Sequence, residues 1–136
     1  MTATMNRTTE LQSGVEQAIE VARDWVNRAW SPGAQESRDP LLELWQVCQL
    51  ADYSAAAGYQ WRRRSDPGFV GEDRMRGEPF PAPDRAAVLG PKGGIRVPPA
   101  WRLTTVVPWL VTSGKWDRFV KRAGYEAAGA LAALSQ

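Results

Sequence analysis

The 136-residue chain contains no histidine, which excludes a Ser-His-Asp or Cys-His catalytic set, an HExxH zinc site and any imidazole proton shuttle. Its single cysteine, Cys48, cannot form an intrachain disulfide. Cys48 falls at a helical apolar spacing between Leu44 and Ala51, which predicts a buried, reduced thiol rather than a nucleophile. Net charge is also scarce: 17 basic and 15 acidic residues leave +2, so the total alone argues weakly for a polyanionic partner. No run approaches the ~18 apolar residues of a membrane span, and MTATMNRTTELQS has no charged segment leading into an apolar stretch. No membrane partner and a cytoplasmic location are therefore expected. There is no CxxC pair, too few paired carboxylates, and a GPKGG stretch without the Ser/Thr and helix start of a phosphate loop. The expectation is a non-enzyme with no cofactor, no metal and no small-molecule substrate.

What is present reads as one domain of ordinary composition, 43% hydrophobic and 24% charged. From Thr8 to Trp30, Leu11, Val15, Ile19, Ala22, Val26 and Trp30 recur at three and four, predicting an amphipathic helix with Thr9 and Gln12 as a capping box. SPG at 31–33 should end it, and a linker runs to Asp39. A second helix is predicted with Asp39 as N-cap and Pro40 in its first turn, carrying Leu41, Leu44, Trp45, Val47, Cys48 and Ala51. Ser54 should cap a third, AAAGYQWRRR at 55–64. Residues 65–100 are dense in Gly and Pro, but AAVL and IRV flank GPKGG and predict a short hairpin. Thr104 or Thr105 should cap a brief helix to Leu110, with Pro108 in its first turn or just beyond. Lys115 to Leu134 reads as a terminal helix with Trp116, Phe119, Val120, Ala123, Ala127, Ala130, Leu131 and Leu134 on one side, weakened by Gly124 and Gly129.

The charge is unevenly spread. Residues 1–54 carry 4 basic and 8 acidic groups, residues 55–102 carry 9 and 5, and residues 103–136 carry 4 and 2. Positive charge thus gathers on the third helix, with Arg62, Arg63 and Arg64 in sequence, and on the hairpin, where Lys92 and Arg96 bracket the turn. Seven tryptophans raise the possibility of base stacking, yet Trp45, Trp61, Trp101 and Trp109 all fall on predicted apolar faces and are expected to form a small core between helices and hairpin.

The order of elements over 44–110 carries a resemblance. LWQVCQLADYS (44–54), AAAGYQWRRR (55–64), FPAP (80–83), GPKGG (90–94) and WRLTTVVPWL (101–110) follow one another, the last matching at Trp101, Arg102, Thr104, Val106, Trp109 and Leu110. Together they resemble the MerR-like winged helix-turn-helix of excisionases and small phage-type regulators. Asp52 stands where that family usually has a turn glycine, residues 67–79 and the Pro98-Pro99 pair look like insertions around the wing, and Ala55, Ala56 and Ala57 occupy the first turn of the helix that would read bases. The resemblance implies a mainly α fold with a small β-hairpin wing: a winged helix-turn-helix at 39–114, flanked by an N-terminal amphipathic helix and linker (1–38) and a C-terminal helix (115–136).

The implied function is double-stranded DNA binding, as an excisionase or as a small transcriptional regulator of a mobile element. A second copy of the chain or a recombinase would be a further partner. Tyr59, Gln60 and Arg63 would face bases, while Arg62, Arg64, Lys92, Arg96 and Arg102 would contact phosphates. The alternative is a helical oligomerisation or adaptor protein whose middle module no longer reads DNA. The flanking helices are expected to pack on each other within one chain, with association between chains as the alternative.

Overall fold

The apolar run that begins at Leu41 starts as a strand before it becomes a helix. In the computed structural model, which describes residues 2–30, 38–65 and 79–124 with side chains from Gly14 onward, β1 (Leu41–Glu43) pairs antiparallel with β4 (Ala100–Arg102), Leu42 opposite Trp101. α2 (Leu44–Ala51) follows directly, with Glu43 as N-cap and Gln46 Oε1 accepting the Glu43 N–H at 2.9 Å. The expected cap at Asp39 is therefore corrected. Asp39 serves α4 (Leu103–Thr112), which also begins one residue before the expected cap: Oδ1 accepts the Thr104 N–H at 3.0 Å and Oδ2 the Thr104 hydroxyl at 2.7 Å. Pro40 contributes its carbonyl to the Leu103 N–H at 3.1 Å.

The described residues are mainly helical, with two small antiparallel strand pairs. α1 (Thr2–Trp30) is longer than the sequence pattern predicts. Nothing before Gly14 breaks a helix, so Thr9 and Gln12 lie inside α1 and do not cap it. α3 (Ala55–Ser65) begins where expected, the Ser54 hydroxyl accepting the Ala57 N–H at 3.4 Å. β2 (Val88–Leu89) and β3 (Ile95–Val97) form the predicted hairpin, closed by a Gly90 N–H to Gly94 carbonyl bond of 2.7 Å and by Gly93 at φ +82°. Register slips by one between Val88 and Leu89, making Arg96 the extra residue on β3. α5 is described over residues 117–124, after a turn in which Gly114 adopts φ +78° and the Lys115 and Trp116 N–H groups both bond the Leu110 carbonyl. Ala127, Gly129, Ala130, Leu131 and Leu134 lie outside the described residues, as does the 31–37 linker.

α4 is the centre of the core. Leu103, Val106, Val107 and Leu110 are fully buried, and Trp109 nearly so. Pro108 is the sixth residue of α4, just beyond its first turn, the later of the two expected placements. A proline there costs roughly 3 kcal/mol, but each buried Leu or Val returns about 1.5–3 kcal/mol, so burial decides the outcome. α1 lays Ala18, Ala22 and Val26 against this core, the spacing of one helical face. Trp25 meets Phe119 edge-on at 6.4 Å, so the flanking helices pack within one chain. Val120, expected on the buried side of α5, is 56% exposed. Leu11 belongs to the part of α1 whose side chains are not described.

Candidate nucleic-acid interface

Gly58 and Trp61 set the orientation of α3. The α2–α3 turn passes through Asp52 in the left-handed conformation (φ 66°, ψ 43°), and the two helices then approach at Gly58, where an added Cβ would overlap Cys48 Sγ and press on Leu44. Cys48 is buried as expected. Burial pushes its thiol above the usual range, opposed by a backbone hydrogen bond with Gly58, so it stays protonated at neutral pH.

One turn on, Trp61 enters an aromatic cluster, edge-on to Tyr53 (5.1 Å), stacked on Phe80 (6.2 Å) and tilted against Trp109 (5.4 Å). The segment after α3 returns through Phe80, whose N–H donates to Ser65 Oγ at 2.8 Å, and Pro81, whose carbonyl accepts the Trp101 indole N–H at 2.8 Å. Trp61, Trp101 and Trp109 thus form the expected core. Lys115 Nζ lies over the Trp109 ring at 5.0 Å, and its pKa is lowered by burial.

With that side buried, α3 presents Ala55, Ala56, Tyr59, Gln60, Arg62 and Arg63 on its exposed side, while Arg64 is half-buried. Tyr59, Gln60 and Arg63 therefore share the outer face, as their spacing implies. Arg62 is exposed but not extended away: its guanidinium lies over the Trp101 ring at 5.2 Å. Lys92 and Arg96 are exposed on the hairpin. Arg102 is tethered instead, its guanidinium 3.8 Å from the Asp39 carboxylate and its N–H bonded to Asp84 Oδ2 at 2.8 Å.

Between α3 and the hairpin runs a cleft of about 230 Å³. Of the residues singled out in the sequence, it brings together Tyr59 and Arg62. Its remaining walls are Glu43, Leu44, Trp45, Ala55, Ile95, Pro98 and Pro99. Gln60, Arg63, Arg64, Lys92, Arg96 and Arg102 do not line it.

Trp45 is a correction: it is 49% exposed rather than part of the core. The buried face of α2 is Leu44, Val47, Cys48, Leu50 and Ala51, and Trp45 falls outside it with its indole N–H 3.3 Å from Glu43 Oε1. Ile95 opposite is 65% exposed. The signal that could have found Trp45 was the β1 strand, which removes Leu41 from the helix and with it the residue that widens the apolar face toward Trp45. Ile95 alternates with a half-buried Val97 across Arg96, a pattern too short to assign faces.

The arginines of α5 serve the fold. Arg122 donates to the Gln49 and Leu50 carbonyls at 2.7 and 2.6 Å, and Arg118 to the Asp52 carbonyl at 3.1 Å, fastening cations at the negative end of α2. Among the described residues no cluster of three or more acidic or cysteine side chains is arranged to hold a metal ion, and no helix is long and apolar enough to cross a membrane. No protein-family model, curated protein or solved structure matches the chain.

Proposed function

We propose that this chain binds double-stranded DNA as a winged helix-turn-helix protein, with α3 in the major groove and the β2–β3 hairpin as the wing on the neighbouring backbone. The observation that carries this reading is the shared cleft. Tyr59 and Arg62 of α3 share the lining of this cleft with Ile95 of the hairpin and with Pro98 and Pro99, which follow it, so one duplex could contact both elements. Arg62 is the cation that lines the cleft, beside the acidic Glu43, and Arg63 on α3 with Lys92 and Arg96 on the hairpin are exposed outside it. Tyr59, Gln60 and Arg63 are positioned for base edges, the arginines and lysine for phosphates. Arg102 has a weaker claim, because Asp39 already neutralises part of its charge. Its resemblance to excisionases and small regulators gives the biological setting, a cytoplasmic protein of a mobile element acting in recombination or repression.

The test is a titration of fluorescent duplex DNA across a range of salt. Replacing Arg62, Arg63 and Arg64 together with Ala should abolish binding near ~100 mM salt and flatten the log-log salt slope by about 0.9 per lost contact. Lys92→Ala with Arg96→Ala, which touches no core residue, should weaken binding in the same direction. Wild-type affinity in both variants overturns the assignment.

One observation favours the adaptor reading: Val88, Leu89 and Ile95 leave the hairpin with an apolar surface. An adaptor would elute from heparin without a steep salt dependence.

A further inference from the structure

Resting on the DNA-binding reading, we infer that the DNA face of α3 recognises A·T base pairs through the C5-methyl groups of thymine. The first two turns of α3 carry the groups nearest a major-groove floor in a docked recognition helix, and here the outward ones are two alanines and a tyrosine beside a single amide, Gln60. Ala55 and Ala56 are exposed, and Tyr59 is 66% exposed. This apolar strip continues sideways into Trp45 and Ile95 across the cleft, so it is a surface and not an isolated methyl.

The hydrogen-bond chemistry points the same way. α3 has no acidic residue to accept from the cytosine amino group, and the Glu43 carboxylate at the cleft already accepts from the Trp45 indole and from the α2 backbone. Gln60, next to Tyr59, has the acceptor and donor geometry for adenine N6 and N7. Guanine would require a bidentate arginine at the start of the helix. The arginines instead stand at its last turn: Arg62 lies over Trp101, Arg64 is half-buried, and the base-facing Arg63 is about two turns beyond Ala55 and Ala56, so a guanine read by it falls outside the alanine strip. A methyl of thymine against Ala55 or Ala56, beside Gln60 on adenine, leaves Tyr59 as the remaining outward group of the first two turns. A guanine or cytosine there would leave polar edges against alanine, desolvated and unpaired.

Three duplexes of identical length test this with the full chain: one with A·T pairs at its centre, the same with uracil for thymine, and one with G·C pairs there. Uracil keeps every hydrogen-bonding atom and lacks only the methyl. The A·T duplex should bind more tightly than its uracil counterpart, by about fourfold for each methyl buried. The G·C duplex should bind weakest. A G·C duplex carrying 5-methylcytosine, which restores a methyl at the same place, should recover part of that loss. Ala55→Ser with Ala56→Ser should bring the thymine-to-uracil ratio toward one without changing the salt slope, since no cation is touched. Equal affinity for thymine and uracil duplexes, in a chain that does bind DNA with a steep salt slope, overturns the thymine inference alone. Absence of salt-dependent binding to all duplexes overturns the DNA reading and this inference together.

Discussion

Gly58 is the residue on which the α2–α3 geometry turns. Alanine is the better helix former by roughly 1 kcal/mol, so on propensity alone Gly58→Ala should stabilise α3. The Cβ would, however, overlap Cys48 Sγ and sit 3.1 Å from Leu44 Cδ1, and overpacking of this kind costs about 1–3 kcal/mol. Packing wins, and Gly58→Ala should lower the midpoint of urea unfolding. Adding Cys48→Ala removes the sulfur and should return part of the loss. A Gly58→Ala chain as stable as the parent would show that the helices do not approach so closely.

Trp101 makes a larger statement at the same scale. It is fully buried, and its indole N–H donates to the Pro81 carbonyl. Trp101→Ala should cost roughly 3–5 kcal/mol, and a thermal melt that stays at the parental temperature would place the ring on the surface. Asp52 turns the chain between α2 and α3 at φ 66°, a conformation that aspartate tolerates better than most residues.

Elements that depend on neighbours in sequence could be read from the chain, and those fixed from far away could not. Ser54 lies beside the helix it caps, and Gly93 lies inside the turn it permits, so α3 and the hairpin were anticipated close to their bounds. Asp39 precedes an apolar run and has every local mark of a cap for it, yet its carboxylate is taken by Thr104, 65 residues away. Sequence spacing carries no trace of that partnership. Once Leu41–Glu43 pairs with β4, Leu41 no longer belongs to the helical face, which narrows to Leu44, Val47, Cys48, Leu50 and Ala51 and leaves Trp45 at the cleft. The site was accordingly half visible: its cations and Tyr59 follow from composition and helical spacing, while its apolar wall depends on a strand pairing. Asp39→Ala should therefore destabilise α4 rather than α2, by about 1 kcal/mol. A double-mutant cycle with Thr104→Val should show coupling, whereas Asp39→Ala with Gln46→Ala should be additive. Absence of coupling between Asp39 and Thr104 would overturn the assignment of Asp39 to α4.

At the scale of the whole molecule, Arg122 ties three regions together. It holds the carbonyls of Gln49 and Leu50, comes within 3.8 Å of the Asp52 carboxylate, and lies over the Trp25 ring at 4.7 Å. Hydrogen bonds to a charged donor are worth roughly 1.5–3 kcal/mol, and a lysine cannot reproduce the two-pronged geometry. Arg122→Lys should lower stability by about that amount although charge is kept, and a melt identical to the parent would show that charge alone matters.

α1 is bound into the same assembly through Ala18, Ala22 and Val26, which are almost wholly buried, and through Trp25 against Phe119 and Trp30 against Trp45 at 5.9 Å. Removing residues 1–36 would expose α4 and the aromatic side of α5 to water. The lost burial is several kcal/mol by area, a large part of the roughly 5–15 kcal/mol that holds a domain together. The truncated chain should lose its cooperative thermal transition, or associate through the uncovered surface, when followed by circular dichroism and light scattering. If it stays a folded monomer with the parental melting temperature, α1 is an appendage, and its apolar face is covered by another protomer rather than by its own chain.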